Sequence, residues 1–357
     1  MAMAGEGRRG LANMGFALAL GAVAGLLFNW ATLPLPWMLG PMIANTLAAV
    51  VRLPVASPGR ARPYVVAVIG VMLGAGFSPD IVDQIGLWAL SFLFLAVYIA
   101  VSGAVVIPYY RKVGGFDLPT AYFAGMPGGL NEMMIVGKEM GGDERAIVLA
   151  HASRIVVVVA LVAVWFRLIQ GVDLTDRSQF GTPFADIPAH ELLVLLVAGV
   201  VGFYLGKLLR LPAPMLLGPM IVSAAVHLAG LTDSPPPQEL VIVAQVFLGT
   251  IIGCRFIGAA PRAIGRAIGL SIGATVLMLV VTFVFAGAFH GLFGQTLEQV
   301  LLAYSPGGLA EMSLVALAMN ADIAYVASHH LFRISIIVLM APLLFGVLRR
   351  RGRGAGE

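Results

Sequence analysis

The stretch Gly125-Met-Pro-Gly-Gly-Leu-Asn-Glu-Met133 sets a Pro-Gly-Gly break, an amide and a carboxylate inside sequence that is otherwise almost continuously apolar. A second copy, Tyr304-Ser-Pro-Gly-Gly-Leu-Ala-Glu-Met312, keeps the same Pro-Gly-Gly-Leu-x-Glu-Met core. The segments around them, about 121–140 and about 300–319, read as broken or re-entrant helices at membrane depth. A break there frees backbone N–H and C=O groups, which are tolerated only where protein or a wet cavity satisfies them.

Composition supplies the membrane. Of 357 residues 59% are apolar and 11% charged, with a mean hydropathy of +0.95, which excludes a soluble globular domain and indicates a polytopic membrane protein. Apolar runs able to cross as helices fall at about 11–30, 36–51, 64–78, 85–107, 146–168, 192–209, 214–231, 240–254, 264–289 and 323–347. Of these ten, 36–51, 64–78 and 240–254 are shorter than the ~20 residues a span usually needs. The first run follows Arg8-Arg9 in the manner of a secretory leader, but the next apolar run begins within a few residues, so it is expected to be the first membrane helix. A single cysteine, Cys254, rules out a disulfide framework and a Cys-based metal cluster. The pI of 9.4 is explained by Lys and Arg beside membrane spans, with no nucleic acid partner required.

Charge orients the spans. With the N-terminus cytoplasmic and neither broken segment crossing, 18 of the 22 basic residues fall inside, from Arg8 and Arg9 through Arg111, Lys138, Lys207 and Arg262 to the tail Arg349-Arg-Arg-Gly-Arg353. The outer loops collect acids instead, among them Asp83, Asp176, Asp233 and Glu298. Ten crossings with both termini cytoplasmic satisfy the positive-inside rule; two further crossings would move seven basic residues outside. The expected location is a bacterial-type inner membrane, with the lipid bilayer as the first partner and self-association left open.

The chain also repeats itself. Leu33-Pro-Leu-Pro-Trp-Met-Leu-Gly-Pro-Met-Ile43 matches Leu211-Pro-Ala-Pro-Met-Leu-Leu-Gly-Pro-Met-Ile221 at an offset of 178, and the Pro-Gly-Gly motifs match at 179. Beyond them Asp143, His151 and Arg154 stand opposite Asp322, His330 and Arg333 in the same register. The expected organisation is a first membrane repeat at 11–168, an outer linker at 169–191, a second repeat at 192–347 and a basic tail at 348–357. Five crossings per repeat is an odd number, so the second repeat enters from the opposite face. The fold expected is therefore all-α, with two inverted-topology repeats of five transmembrane helices, each carrying one broken segment, as in many secondary transporters.

On these paired blocks the chain resembles, over nearly its whole length, the membrane AbrB family, also labelled AbrB duplication. The best-known member is described as a regulator of gene expression, and the name is shared with an unrelated small DNA-binding protein. Nothing in this chain looks like that soluble module. Members also carry an ammonia monooxygenase label, but copper or iron chemistry wants clustered His and carboxylate ligands, and the six histidines here are mostly scattered at span ends. No metal, cofactor or enzymatic activity is expected.

The candidate solute or ion site comprises Pro127, Gly128, Gly129, Asn131, Glu132, His151 and Arg154 with Pro306, Gly307, Gly308, Glu311, His330 and Arg333. Glu132 and Glu311 fall in the first turn of any helix restarting after the break. There they either complement its positive end or act as a protonatable, cation-binding pair. Asn131 faces Ala310 in the second copy, which gives the first half more capacity to select. Arg154 and Arg333, 22 residues after their glutamates, need partners within the membrane. Either they pair with those carboxylates, so that all four side chains converge, or they hold an anion bidentately. His151 and His330, three residues earlier on the same helix face, are interhelical hydrogen-bonders or a proton relay. Pro34, Pro36, Gly40 and Pro41, with Pro212, Pro214, Gly218 and Pro219, interrupt a short span in each half, a pointer to a transporter site. Two functions follow: a secondary transporter of a small, anionic solute coupled to protons or sodium, and a membrane-embedded sensor or regulator without flux.

Overall fold

The computed structural model describes residues 2–77, 81–169, 171, 181–211, 213–319 and 321–354. Among them the regular structure is helical, without strands. The helices are α1 (Ala2–Trp30), α2 (Pro36–Val50), α3 (Arg62–Ala75), α4 (Ile81–Lys112), α5 (Leu118–Gly125), α6 (Leu130–Glu139), α7 (Glu144–Leu168), α8 (Ala189–Leu208), α9 (Pro214–Leu228), α10 (Gln238–Gly253), α11 (Pro261–Phe289), α12 (Leu297–Tyr304), α13 (Leu309–Ala318) and α14 (Ile323–Gly354). Both quoted motifs break helices where expected: α5 stops at Gly125 and α6 starts at Leu130, while α12 stops at Tyr304 and α13 starts at Leu309. Residues 170 and 172–180 of the linker expected at 169–191 lie outside the described residues, as does Pro212.

Among the described residues seven helices are long and apolar enough to cross a membrane: α1, α4, α7, α8, α10, α11 and α14. Lengths differ from expectation in two places. The run at 240–254 is extended into a span of 19 residues, Gln238–Phe256, while 214–231 yields only the 15 residues of α9. Gly230 takes a left-handed backbone, φ 66°, and closes α9 early. With α2 at 15 residues and α3 at 14, three apolar helices reach only about 21–23 Å at 1.5 Å per residue.

Helix starts recur at the repeat offset. Leu35 and Ala213 both sit in the left-handed region, φ 46° and 48°, each directly before a proline at the first helical position of α2 and α9. Thr32 and Arg210, φ 51° and 52°, repeat the same spacing. Proline is suited there because the first N–H has no helical partner and its φ is already helical. Asp117 Oδ1 accepts from Thr120 N at 3.1 Å to cap α5, and its counterpart Thr296 caps α12 in a reciprocal capping box with Gln299. Asp143 caps α7 through Arg145 N and Ala146 N, and Asp322 caps α14 through Tyr325 N.

The chain packs as two compact units. The first is Met1–Gln84, Val159–Pro261 and Ser313–Ala327; the second is Ile85–Val158, Arg262–Met312 and Ser328–Glu357. Each draws on both sequence repeats. In the first, α3 packs on α9 and α10 on α2, through glycines at matching positions. Gly70 and Gly74 lie against the backbone of Leu216 and Met220, and Gly249 and Gly253 against that of Met38 and Met42. Gly40 likewise meets Ala24, as Gly218 meets Gly202. Absent side chains let the backbones approach, the small-xxx-small geometry of membrane helices. The second unit holds both breaks, with the remainder of α13 from Ser313 in the first unit, and has a core of Val106, Tyr110, Ala121, Ala150, Ala274 and Met278. Ser271 Oγ donates to Ala150 O at 3.1 Å and Tyr122 OH to Ala341 O at 3.0 Å within it.

Candidate functional site

Every part of the motif has a local reason. Proline at 127 and 306 removes a donor, which ends α5 and α12 within two residues. The glycines act through space rather than through unusual dihedrals, since Gly129 has an ordinary extended backbone, φ −67° and ψ 139°. A Cβ on Gly128 would run into Met133 and Ile337, and one on Gly307 into Met312. A Cβ on Gly129 or Gly308 would strike the carboxylate of Glu132 or Glu311. Each glutamate is therefore folded back over the glycine that precedes its half-helix, in the third position of the first turn. A negative charge is favoured there by the unbonded N–H groups. Glu311 is the more buried, at 9% exposure; Glu132 is half-buried.

His151 and Arg154 of α7 fasten the other side of the break. His151 Nε2 meets Phe123 O at 2.8 Å, Arg154 Nη1 donates to Met126 O at 2.9 Å, and Arg154 Nη2 donates to Gly128 O at 3.2 Å. Arg154 Nη2 also reaches His151 Nδ1 at 3.0 Å. The second half repeats all four bonds at an offset of 179. His330 Nε2 meets Leu302 O at 2.9 Å, Arg333 donates to Ser305 O and Gly307 O, and Arg333 Nη2 reaches His330 Nδ1 at 2.9 Å. A guanidinium only donates and a carbonyl only accepts, so both histidines are neutral Nε2–H tautomers with each nitrogen in use. That assigns them to bracing and leaves no lone pair for a proton relay.

The expected Glu–Arg pairs are not formed. Among the described residues neither arginine has a carboxylate partner; both fork nitrogens are spent on backbone carbonyls. The carbonyls freed by the break are a nearer and obligatory acceptor set, because leaving them unbonded in hydrocarbon costs several kcal/mol each, an order-of-magnitude figure of about 2–7. Bidentate capture of an anion by the fork is excluded for the same reason while the brace is intact. What each guanidinium retains is its charge, a second Nη1–H, and an Nε–H that is buried without a partner. Arg154 and Arg333 are 3% and 2% exposed.

Tyr98 was not singled out from the sequence. It is fully buried on α4 and bonded to Thr282 of α11 at 3.0 Å, and an aromatic in an apolar span gives no sequence signal of such a contact. His329 stands apart from its neighbour His330: its Nε2 contacts Ser91 Oγ at 2.8 Å and its ring packs on Phe92. Asn131 occupies the second position of α6 and is half-buried. The first unit has an open cleft of about 560 Å³ between α3, α8 and α10, whose only polar side chains are Tyr64 and Tyr204. It suits hydrocarbon, not a charged solute. No cluster of His, Cys, Asp or Glu able to hold a metal is found among the described residues.

Fold and site together define a helical membrane protein with two braced helix breaks built from a duplicated motif. The chain belongs to the AbrB family: the family profile described as "Transition state regulatory protein AbrB" matches residues 37–349. Similar proteins include YhjN of Bacillus subtilis (strain 168), whose name assigns it no activity, at 24% identity over 93% of this chain and 92% of that one. A protein of Escherichia coli (strain K12), whose name proposes a "regulator AbrB", is 25% identical over 87% of this chain and 89% of its own length.

Proposed function

We propose that this protein is a secondary transporter of a small anionic solute, with ten crossings arranged as two inverted repeats and its site at the two Pro-Gly-Gly breaks. One observation carries it: the same four hydrogen bonds brace both breaks, 179 residues apart, in one compact unit. Broken helices at membrane depth are maintained against a large backbone cost, and in transporters they supply free N-termini to anionic groups. Here α6 and α13 offer such ends, each carrying a glutamate.

Charge links solute to coupling ion. Two arginines and two glutamates balance when the site is empty. A monoanion that enters leaves an excess negative charge unless one carboxylate takes up a cation, so binding of solute and of a proton or sodium ion reinforce one another. Glu132, half-buried, is the residue placed to exchange with solvent. Glycine-to-backbone contacts that recur reciprocally, α3 on α9 and α10 on α2, are the pattern that a two-fold relation between the repeats produces.

The test is a thermal-stability screen of the purified protein against small organic and inorganic anions, followed by uptake in proteoliposomes with and without a pH gradient. A ligand that binds only the folded state raises the apparent Tm. Stabilisation and uptake by one compound, with the stabilisation kept and the pH-driven uptake lost in Glu132→Gln, support a carrier. Stabilisation without flux supports the regulatory role that the Escherichia coli relative's name suggests.

A further inference from the structure

Resting on the carrier reading, we infer that Arg154 and Arg333 occupy the two cation positions that helix breaks of this kind offer, so that this site works without sodium and takes the proton as its coupling ion. In transporters with broken helices, unwound carbonyls and half-helix C-terminal ends are the groups that coordinate a sodium ion. In this chain three such carbonyls at each break are taken. At the first break the carbonyls of Phe123, Met126 and Gly128 are bonded to His151 and Arg154; at the second, those of Leu302, Ser305 and Gly307 are bonded to His330 and Arg333. Each set receives one imidazole N–H and two guanidinium N–H groups.

The substitution is chemically apt. A sodium ion at a half-helix C-terminus balances a partial negative charge of about half an elementary charge. A guanidinium does the same, stays protonated at any physiological pH, and is held permanently by the rotamer of its own helix. Arg154 and Arg333 are almost wholly buried and have no carboxylate among the described residues to draw them off the carbonyls. A fixed cation cannot be released to the other side of the membrane, so it cannot store or spend an ion gradient. The exchangeable charge then falls to the carboxylates over Gly129 and Gly308, where a proton is held by one O–H bond and needs no coordination cage. Sodium would need several oxygen ligands at once, and three carbonyls at each break are already bonded to the histidine and the arginine.

The experiment uses sodium itself, so no solute has to be known. Equilibrium binding of radioactive sodium to the purified full chain, and Tm in sodium chloride against choline chloride at equal ionic strength, are measured for wild type, Arg154→Ala and Arg333→Ala. Wild type is expected to show no saturable sodium binding and the same Tm in both salts. Each alanine variant should melt lower and regain several degrees in millimolar methylguanidinium or sodium, but not in choline, because the vacated carbonyls then accept a cation. Saturable sodium binding by wild type overturns the inference, whether or not the variants fold, and leaves the carrier reading standing with sodium as its ion. Stable variants that no cation rescues overturn it as well. The carrier reading fails separately, if a protein that binds no sodium also shows no flux of any anion that stabilises it.

Discussion

At the residue scale the brace makes sharp demands on chemistry. Arg154→Lys keeps the charge but replaces a planar fork by a point donor, so it can satisfy one of Met126 O and Gly128 O and lose the contact to His151. The orphaned acceptor should cost about 1–3 kcal/mol, and Arg154→Ala, which abandons both carbonyls, about twice that. The ordering wild type, Lys, Ala in Tm, with the same ordering at Arg333, is the measurable outcome; equal Tm for all three would remove the brace as a structural element. The sequence made the motif, its duplicate and the His-x-x-Arg helices plain, because each is a letter in a fixed register. It did not disclose the partners. A backbone carbonyl has no letter, so charge complementarity pointed the arginines at Glu132 and Glu311, and the roles of Gly128 and Gly129 as space for Met133 and Glu132 could not be seen in one dimension.

At the element scale the reciprocal crossings are the testable feature. Gly74 lies against Met220 and Ser223 of α9, and Gly253 against Met42 and Asn45 of α2. A leucine at either place must push two helices apart, at about 1–3 kcal/mol or more for overpacking. Because the two crossings are built alike, Gly74→Leu and Gly253→Leu should lower Tm by similar amounts, whereas Gly287→Leu, which meets nothing within 4 Å, should be near neutral. A large difference between the first two would show that the crossings are not equivalent. Helix starts were legible to within a few residues where Pro marks them, as at Pro36 and Pro214, which open the expected runs 36–51 and 214–231. The end of α9 was less so, where Gly230 ends a run whose apolar pattern would have carried on.

At the scale of the whole molecule, a repeat in sequence is not a unit of packing. The boundaries expected at 11–168 and 192–347 follow ancestry of sequence, while the compact units take segments from both halves, with α7, α13 and α14 contributing to each. Apolar periodicity identifies that a helix has a buried face and is silent about which helix covers it. Orientation is different, since it is imposed by the membrane and written in charge: Arg111 and Lys112 end α4, Arg262 and Arg266 open α11, and Asp233 and Glu298 flank other ends. The inverted repeats proposed above would place Arg111 and Arg262 on the same, cytoplasmic face, and Asp233 and Glu298 on the other. The native Cys254 is buried, so Cys254→Ala provides a background for single cysteines at these four positions. An impermeant maleimide applied to intact cells should label positions 233 and 298 and spare 111 and 262 until the membrane is opened. Labelling of 262 from outside would place the two repeats in parallel. The half-helices α6 and α13 would then point the same way instead of meeting from opposite sides, and a single shared site would lose its geometric basis.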